Sequence, residues 1–225
     1  MSGLADRLVA LVARSSSLSL PDPARLTGVD RVTRIAIVGA TCAGKSTIVD
    51  AIRASGLTAI PPRFLTRAPR AGDRAEENLH VSAAEFDARV ARGEIDLRWV
   101  RPMEAGREER YGFAPSSAPL TVYSANNALC SNAGSVRPAG AFEDLFIIGV
   151  IAPDDLRASR LLERSPDLVR DRPAESAYRL ADRSENILPC VHVLIDNDER
   201  RQRAAPAEAV ELIRTLEESW ENSRS

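Results

Sequence analysis

The sequence holds one lysine. Of its 30 basic residues, 29 are arginine and the exception is Lys45. Histidine is almost as scarce, with two residues, and the three cysteines Cys42, Cys130 and Cys190 stand far apart. That excludes a CxxC or Cys/His metal framework and a paired disulfide scaffold, and the expectation is a reduced, cytoplasmic protein. No apolar run approaches the roughly 20 residues that span a bilayer. The apolar stretch near the N-terminus is interrupted by Asp6, Arg7 and Arg14, unlike a signal peptide. Net charge is only -2, with arginines and carboxylates interspersed. That excludes a general pull toward nucleic acid or acidic membranes. The arginine excess reads as codon bias, in keeping with the many Ala, Pro and Val.

What is present is an ordinary globular composition, 44% hydrophobic and 28% charged over 225 residues. An amphipathic helix is expected over residues 3 to 14, with Leu4, Leu8, Leu11 and Val12 on one face. Residues 15 to 30, rich in Ser and Pro, read as a linker. The segment 1–30 suits dimerisation or a cap on a sheet, so a homodimer is one expectation. From residue 31 to 225, strands alternate with helices. "RIAIVG", "LTVYSA", "LFIIGVIAP" and "VHVLIDND" read as strands of a parallel sheet, and "IDLRW" as a further strand. Helices are expected from Lys45 to Ala54, after an N-cap at Ser82 with Glu85 completing a capping box, after Asp154, over "RPAESAYRLADRSENI", and over "PAEAVELIRTLEESW". "PPRFLTRAPRAGDRAEEN" and "RPMEAGREERYGFAP" read as charged loops.

Lys45 sits inside a motif. Gly39-Ala40-Thr41-Cys42-Ala43-Gly44-Lys45-Ser46 matches G-x-x-x-x-G-K-[ST], between a buried strand and a helix. The glycines let backbone N–H groups approach phosphate oxygens, and the helix adds its positive dipole end. Lys45 reaches the β and γ phosphates, and Ser46, followed by Thr47, is placed for Mg²⁺. Residues 39–47 are therefore the expected nucleotide site, with ATP and Mg²⁺ as cofactors and Cys42 as a packing residue. The expected fold is α/β, a P-loop NTPase three-layer α/β/α architecture around a parallel sheet. A switch GTPase is excluded, because no Asp is followed by Gly three residues on and no Asn-Lys exists.

The segment Leu65-Thr66-Arg67-Ala68-Pro69-Arg70-Ala71-Gly72-Asp73 resembles the T-T-R-x-P-R-x-G-E stretch of the guanylate kinase superfamily. Val81-Ser82-Ala83-Ala84-Glu85-Phe86 resembles that family's V-S-x-x-E-F helix. The resemblance implies a kinase with a small acceptor-binding lobe over about 61–119 and a helical lid over about 154–187. It implies that Arg67, Arg70 and Tyr111 hold an acceptor phosphate, as paired guanidiniums would. It also implies that lid arginines, among Arg160, Arg164 and Arg179, close over ATP. The family's D-Y-H-F becomes Glu77-Asn78-Leu79-His80. Its acidic strand end becomes Tyr123-Ser124-Ala125-Asn126-Asn127, so carboxylates that would support Mg²⁺ are missing there. Glu77-Asn78, Trp99, Tyr111-Gly112 and Asn126 are similar to parts of the ribose 1,5-bisphosphate phosphokinase branch. Asn78 is counted with Arg67, Arg70 and Tyr111 as acceptor-binding, and Asp73, Glu76, Glu77 and Asp96 are further candidates for acceptor contacts.

The reading is an ATP-dependent small-molecule kinase whose partner is a phosphate-bearing acceptor, a nucleoside monophosphate or a phosphosugar. A ribose 1,5-bisphosphate phosphokinase is the narrower alternative. A catalytically degenerate nucleotide-binding module is the alternative of another class.

Overall fold

The computed structural model describes residues 3–69, 73–103, 106–131, 145–182 and 184–222. The first long apolar run forms β2 (Arg34–Val38), whose residues Ile35, Ala36, Ile37 and Val38 are wholly buried. A run with no polar position on either face suits a strand covered on both sides. It lies in a five-stranded sheet with β1 (Leu18–Ser19), β7 (Thr121–Ser124), β8 (Leu145–Ile151) and β9 (Val193–Asp196), in the order β1-β9-β8-β2-β7. The contacts β2–β7, β2–β8 and β8–β9 are parallel, and only β1 runs antiparallel.

One face of this sheet is covered by α1 (Leu4–Arg14), α2 (Lys45–Ser55) and α8 (Ala205–Asn222). Leu8, Ile52, Leu212, Ile213 and Leu216 meet there at zero or near-zero exposure. The other face receives the short α4 (Ala128–Ser131) and one side of a second sheet. That sheet has the order β4-β3-β6-β5, from β3 (Arg63–Leu65), β4 (Asn78–His80), β5 (Leu97–Pro102) and β6 (Glu108–Phe113). Trp99 and Tyr111 stack at 5.4 Å across β5 and β6, and Phe113 reaches Tyr123 of the main sheet at 5.0 Å. The opposite side of the second sheet carries Phe64, which packs with Ile95 and with Phe86 of α3 (Ala83–Ala91). Ser82 caps α3 by accepting from the Glu85 amide at 3.1 Å. The Glu85 carboxylate pairs with Arg89 at 2.9 Å, so the reciprocal arm of the expected capping box gives way to an ion pair along the helix.

Several expectations are corrected. The two loops expected around residues 61–78 and 101–115 contain β3 and β6 of the second sheet, the first residue of β4 and the end of β5. The segment expected as a lid forms three helices, α5 (Asp154–Arg164), α6 (Pro166–Asp171) and α7 (Pro173–Ala181). Asp154 does not cap α5. Pro153 precedes the helix, and the Asp154 carboxylate accepts from Arg157 at 2.6 Å.

The Ser/Pro stretch is no free linker. β1 pairs with β9, and the segment before it is tied to Glu208 in the first turn of α8. Ser16 donates to Glu208 from its amide (2.8 Å) and its hydroxyl (2.9 Å), and Ser17 does the same (2.8 and 2.5 Å). The N-terminal segment thus caps the sheet of its own chain. Partial burial works against the Glu208 charge, but these donors outweigh it and hold its pKa below the usual 4.5. A depressed carboxyl contributes stability above its unfolded pKa and loses it as pH falls through the folded value. Glu208→Gln is therefore expected to cost about 1 kcal/mol, the part of four charge-assisted bonds that solvent leaves. Urea unfolding at neutral pH should show the loss, and the difference should vanish in acid below the folded pKa. An equal deficit at both pH values would contradict it.

Candidate functional site

The turn between β2 and α2 needs two left-handed residues, Cys42 (φ 63°) and Gly44 (φ 99°). Gly44 has a second reason to lack a side chain. A Cβ there would lie 1.9 Å from Asn197 Nδ2, and one at Gly39 would lie 2.4 Å from the Val150 carbonyl oxygen. The loop is thus pressed against the ends of β8 and β9.

Side chains from behind take up three consecutive loop carbonyls. Arg157 Nε donates to Thr41 O (3.0 Å), Arg160 Nη1 to Cys42 O (3.3 Å) and Asn197 Nδ2 to Ala43 O (2.8 Å). The first N–H groups of α2 have no partner within the helix. Ser46 and Thr47 are exposed on that first turn. Lys45 Nζ donates to the carbonyls of Gly39 (2.5 Å) and Ala40 (2.9 Å), which aligns the ammonium over the loop. Burial pushes the Cys42 thiol up, against the pull of Arg164 and Lys45, which makes it a poor nucleophile at neutral pH.

Burial lowers the Lys45 pKa to about 8; Asp182 opposes this, and Arg63 and Arg101 reinforce it. A phosphate anion favours the charged form, so binding should raise that pKa. The charge is present below about 8 and lost above it, so affinity for a phosphate-bearing anion on this loop is expected to fall as pH rises through about 8. Titration calorimetry in buffers of differing ionisation heat should detect proton uptake near that pH. Affinity that stays flat through that range, with no buffer dependence, would count against it.

Across from Lys45 stands the inner side of the second sheet. Arg63 donates to Ser124 O (3.1 Å) and Asn78 Oδ1 (2.7 Å), and its guanidinium lies 5.5 Å from the Tyr111 ring centroid. The Tyr111 hydroxyl donates to Glu109, and burial together with Glu109 pushes its pKa up. Arg101, facing Glu109 across the strand pair at 4.0 Å, borders a cavity of about 220 Å³ with Tyr178, Ala128 and Asp182. Trp99 Nε1 donates to Asn126 Oδ1 at 3.0 Å.

The expected site residues are distributed as follows. Arg67 forms a two-pronged pair with Asp73, both arms at 2.7 Å, and is nearly buried. His80 joins it through the Arg67 carbonyl at 2.8 Å. Arg70 lies outside the described residues. Asn78 acts through Arg63. Arg160 is a strut of the loop, also reaching Asn197 O (3.2 Å) and Gln202 (3.1 Å). Arg179 is paired with Glu175 one turn back. Arg164 is exposed at the end of α5, and its charge reaches Cys42. Asp96 pairs with Arg34 (2.8 Å), and Glu77 with Arg74 (2.8 Å) and Arg53 (3.0 Å).

Sequence reasoning missed Arg63, Arg101, Arg157, Asp182 and Asn197. A signal existed for Arg157. It occupies the same helical face as Leu161, four residues on, where a surface arginine has no place.

No family model and no curated protein matches the sequence. Solved structures do. Guanylate kinase from Anaplasma phagocytophilum aligns at 14% identity with a TM-score of 0.53, covering 83% of this chain and 87% of that chain. TT1252 from Thermus thermophilus aligns at 15% identity with a TM-score of 0.45, covering 81% and 96%. The likeness to the guanylate kinase structure bears on the fold alone, which is a P-loop α/β fold. Among the described residues no helix is long and apolar enough to cross a membrane.

Proposed function

We propose that the protein is an ATP-dependent kinase that transfers the γ-phosphoryl group to a small phosphate-bearing acceptor. The observation that carries this reading is the juxtaposition of the 39–46 loop, with Lys45 and Ser46 at its helix start, and a basic, aromatic wall of Arg63, Arg101 and Tyr111 opposite. A binding-only module has no need of two charged surfaces facing each other across one gap.

The residues fit ATP and Mg²⁺. The glycine positions admit close backbone approach, Lys45 offers a compact cation, and Ser46 presents an exposed hydroxyl at the first turn of α2. Among the described residues no group of three metal-binding side chains exists. That suits an ion that keeps several waters and binds chiefly through substrate phosphates. Mg²⁺, when bound with the nucleotide, neutralises phosphate charge. The chain's own part is positioning: the loop amides and Lys45 orient the β and γ phosphates, while Arg63 and Arg101 attract the anionic acceptor. No general base is required, because phosphoryl transfer rests on alignment and charge neutralisation. The helices α5 to α7 exclude water from the gap.

A phosphosugar acceptor, in the manner of ribose 1,5-bisphosphate phosphokinase, is favoured by one further observation. The positions similar to that branch, Asn78, Trp99, Tyr111 and Asn126, join one cluster through Arg63, the Trp99–Tyr111 stack and the Trp99–Asn126 bond. The test is ADP release from ATP·Mg²⁺ against GMP, other nucleoside monophosphates, ribose 1,5-bisphosphate and related phosphosugars. Lys45-dependent turnover with one acceptor supports the kinase and names its branch. ATP binding without turnover across the panel favours the degenerate module.

A further inference from the structure

The end of β7 carries no acid. Ser124, Asn126 and Asn127 occupy the turn where the chain leaves the strand. That turn lies beside the nucleotide loop, because β7 runs parallel to β2 with Ser124 opposite Ile37. Three residues past Ser124, and two or three past Ile37, the two chains emerge together at the same end of the sheet. A magnesium-bound polyphosphate on residues 39–46 would place its cation near this turn, where Asn126 and Asn127 offer only neutral amides.

A carboxylate reaches the turn from another element. Asp182 follows the last residue of α7, and its Oδ1 accepts from Asn127 Nδ2 at 2.9 Å. Its main chain is fixed as well. Arg157, wholly buried, donates Nη2 to Asp182 O at 2.7 Å and Nε to Thr41 O at 3.0 Å. One guanidinium therefore ties the Asp182 backbone to the nucleotide loop. The Asp182 side chain stays partly exposed and borders the cavity of about 220 Å³ between Arg101 and Tyr178. Among charged neighbours, Asp182 acts most strongly on Lys45. Fixed backbone, hydrogen-bonded carboxylate and open side toward the gap are the properties of a positioned ligand-shell residue.

We infer that Asp182, brought in by the lid and held by Asn127, is the carboxylate that binds the water shell of the nucleotide's Mg²⁺ in this chain. The inference rests on the ATP·Mg²⁺ reading and extends it. Asp182 is a positioning residue, holding hydrated metal rather than touching the transferred group. Charge for the cation then comes from the lid helices, and the carboxylate enters with them.

The test is ATP binding to the full chain, followed by calorimetry or a fluorescent ATP analogue while free Mg²⁺ is varied, with an EDTA arm. Three variants are compared: Asp182→Asn, Asn127→Asp, and the double exchange. Asp182→Asn keeps an acceptor for Asn127 and preserves the fold, which circular dichroism checks. The expected result is a Mg²⁺ midpoint weakened about 10–100-fold in Asp182→Asn. Affinity in EDTA should hold or rise, since a negative charge near the phosphates is removed. The double exchange, which puts the acid at the strand end, should recover most of the loss. An unshifted midpoint in Asp182→Asn, or a loss that the double exchange does not recover, overturns the inference. If the wild-type chain binds ATP equally with and without Mg²⁺, the ATP·Mg²⁺ reading on which the inference rests fails. That result is distinct from a wild-type dependence that Asp182→Asn leaves in place.

Discussion

Lys45→Ala lowers acceptor-dependent ADP formation by at least about 10²–10³-fold, the usual cost of losing one preorganised charge at a transferring group. That corresponds to about 3–4 kcal/mol of transition-state stabilisation. The fold should survive, because the hydrogen bonds lost are those from Nζ to the carbonyls of Gly39 and Ala40. Lys45→Arg should fail nearly as badly. The ammonium sits between two carbonyls at 2.5 and 2.9 Å, where a planar fork five donors wide has no room. This explains why a chain with 29 arginines keeps a lysine at this one position. Steady-state kinetics of both variants at saturating Mg²⁺ decide the matter, and full activity in Lys45→Arg would sink the argument.

The second large effect concerns Arg157. It is wholly buried and donates to Thr41 O, Asp182 O, Leu180 O (3.4 Å) and the Asp154 carboxylate. Arg157→Met fills much of the volume but leaves the carbonyls of Thr41 and Asp182 without donors. Each orphaned buried acceptor costs about 1–3 kcal/mol, so unfolding free energy should drop by about 3 kcal/mol. ATP affinity should fall with it, since the loop loses a strut. Arg164→Ala, at the exposed end of the same helix, should stay within about 0.5 kcal/mol of wild type. Urea midpoints of the two variants give the comparison. Equal midpoints would mean that Arg157 is no more than a surface charge turned inward.

The contrast between Arg157 and Arg164 also shows where the sequence was legible. Contiguous signals read well: the 39–46 loop, the long buried strands, and the helices with a clear apolar stripe. The second sheet was hidden because β3 and β4 have three residues each and their inner side carries Arg63, Asn78 and His80. Phe64 and Leu79 lie on the other side, and three residues give too short an alternation to be told from a charged loop. Arg67 illustrates a different limit. The motif marks it as a phosphate grip, but Asp73, six residues on, folds back and takes both of its arms. Local sequence shows that an arginine is present; only tertiary structure shows which anion it meets. Asp182 left no local trace at all, since its partner Asn127 is 55 positions away.

The docking of β1 and α1 on β9 and α8 has a consequence for how the chain is made. The bonds from Ser16 and Ser17 to Glu208 span 192 and 191 positions. At about 5–20 residues per second, the amphipathic first helix leaves the ribosome some ten to forty seconds before its partner exists. For that interval Leu4, Leu8 and Leu11 lack the α8 residues of their cluster, and the edge of β9 that β1 will occupy has not been synthesised. Vectorial synthesis therefore makes α1 and β1, translated well before β9 and α8, among the last elements to be seated, and the apolar face of α1 is a natural client for a chaperone at the tunnel exit.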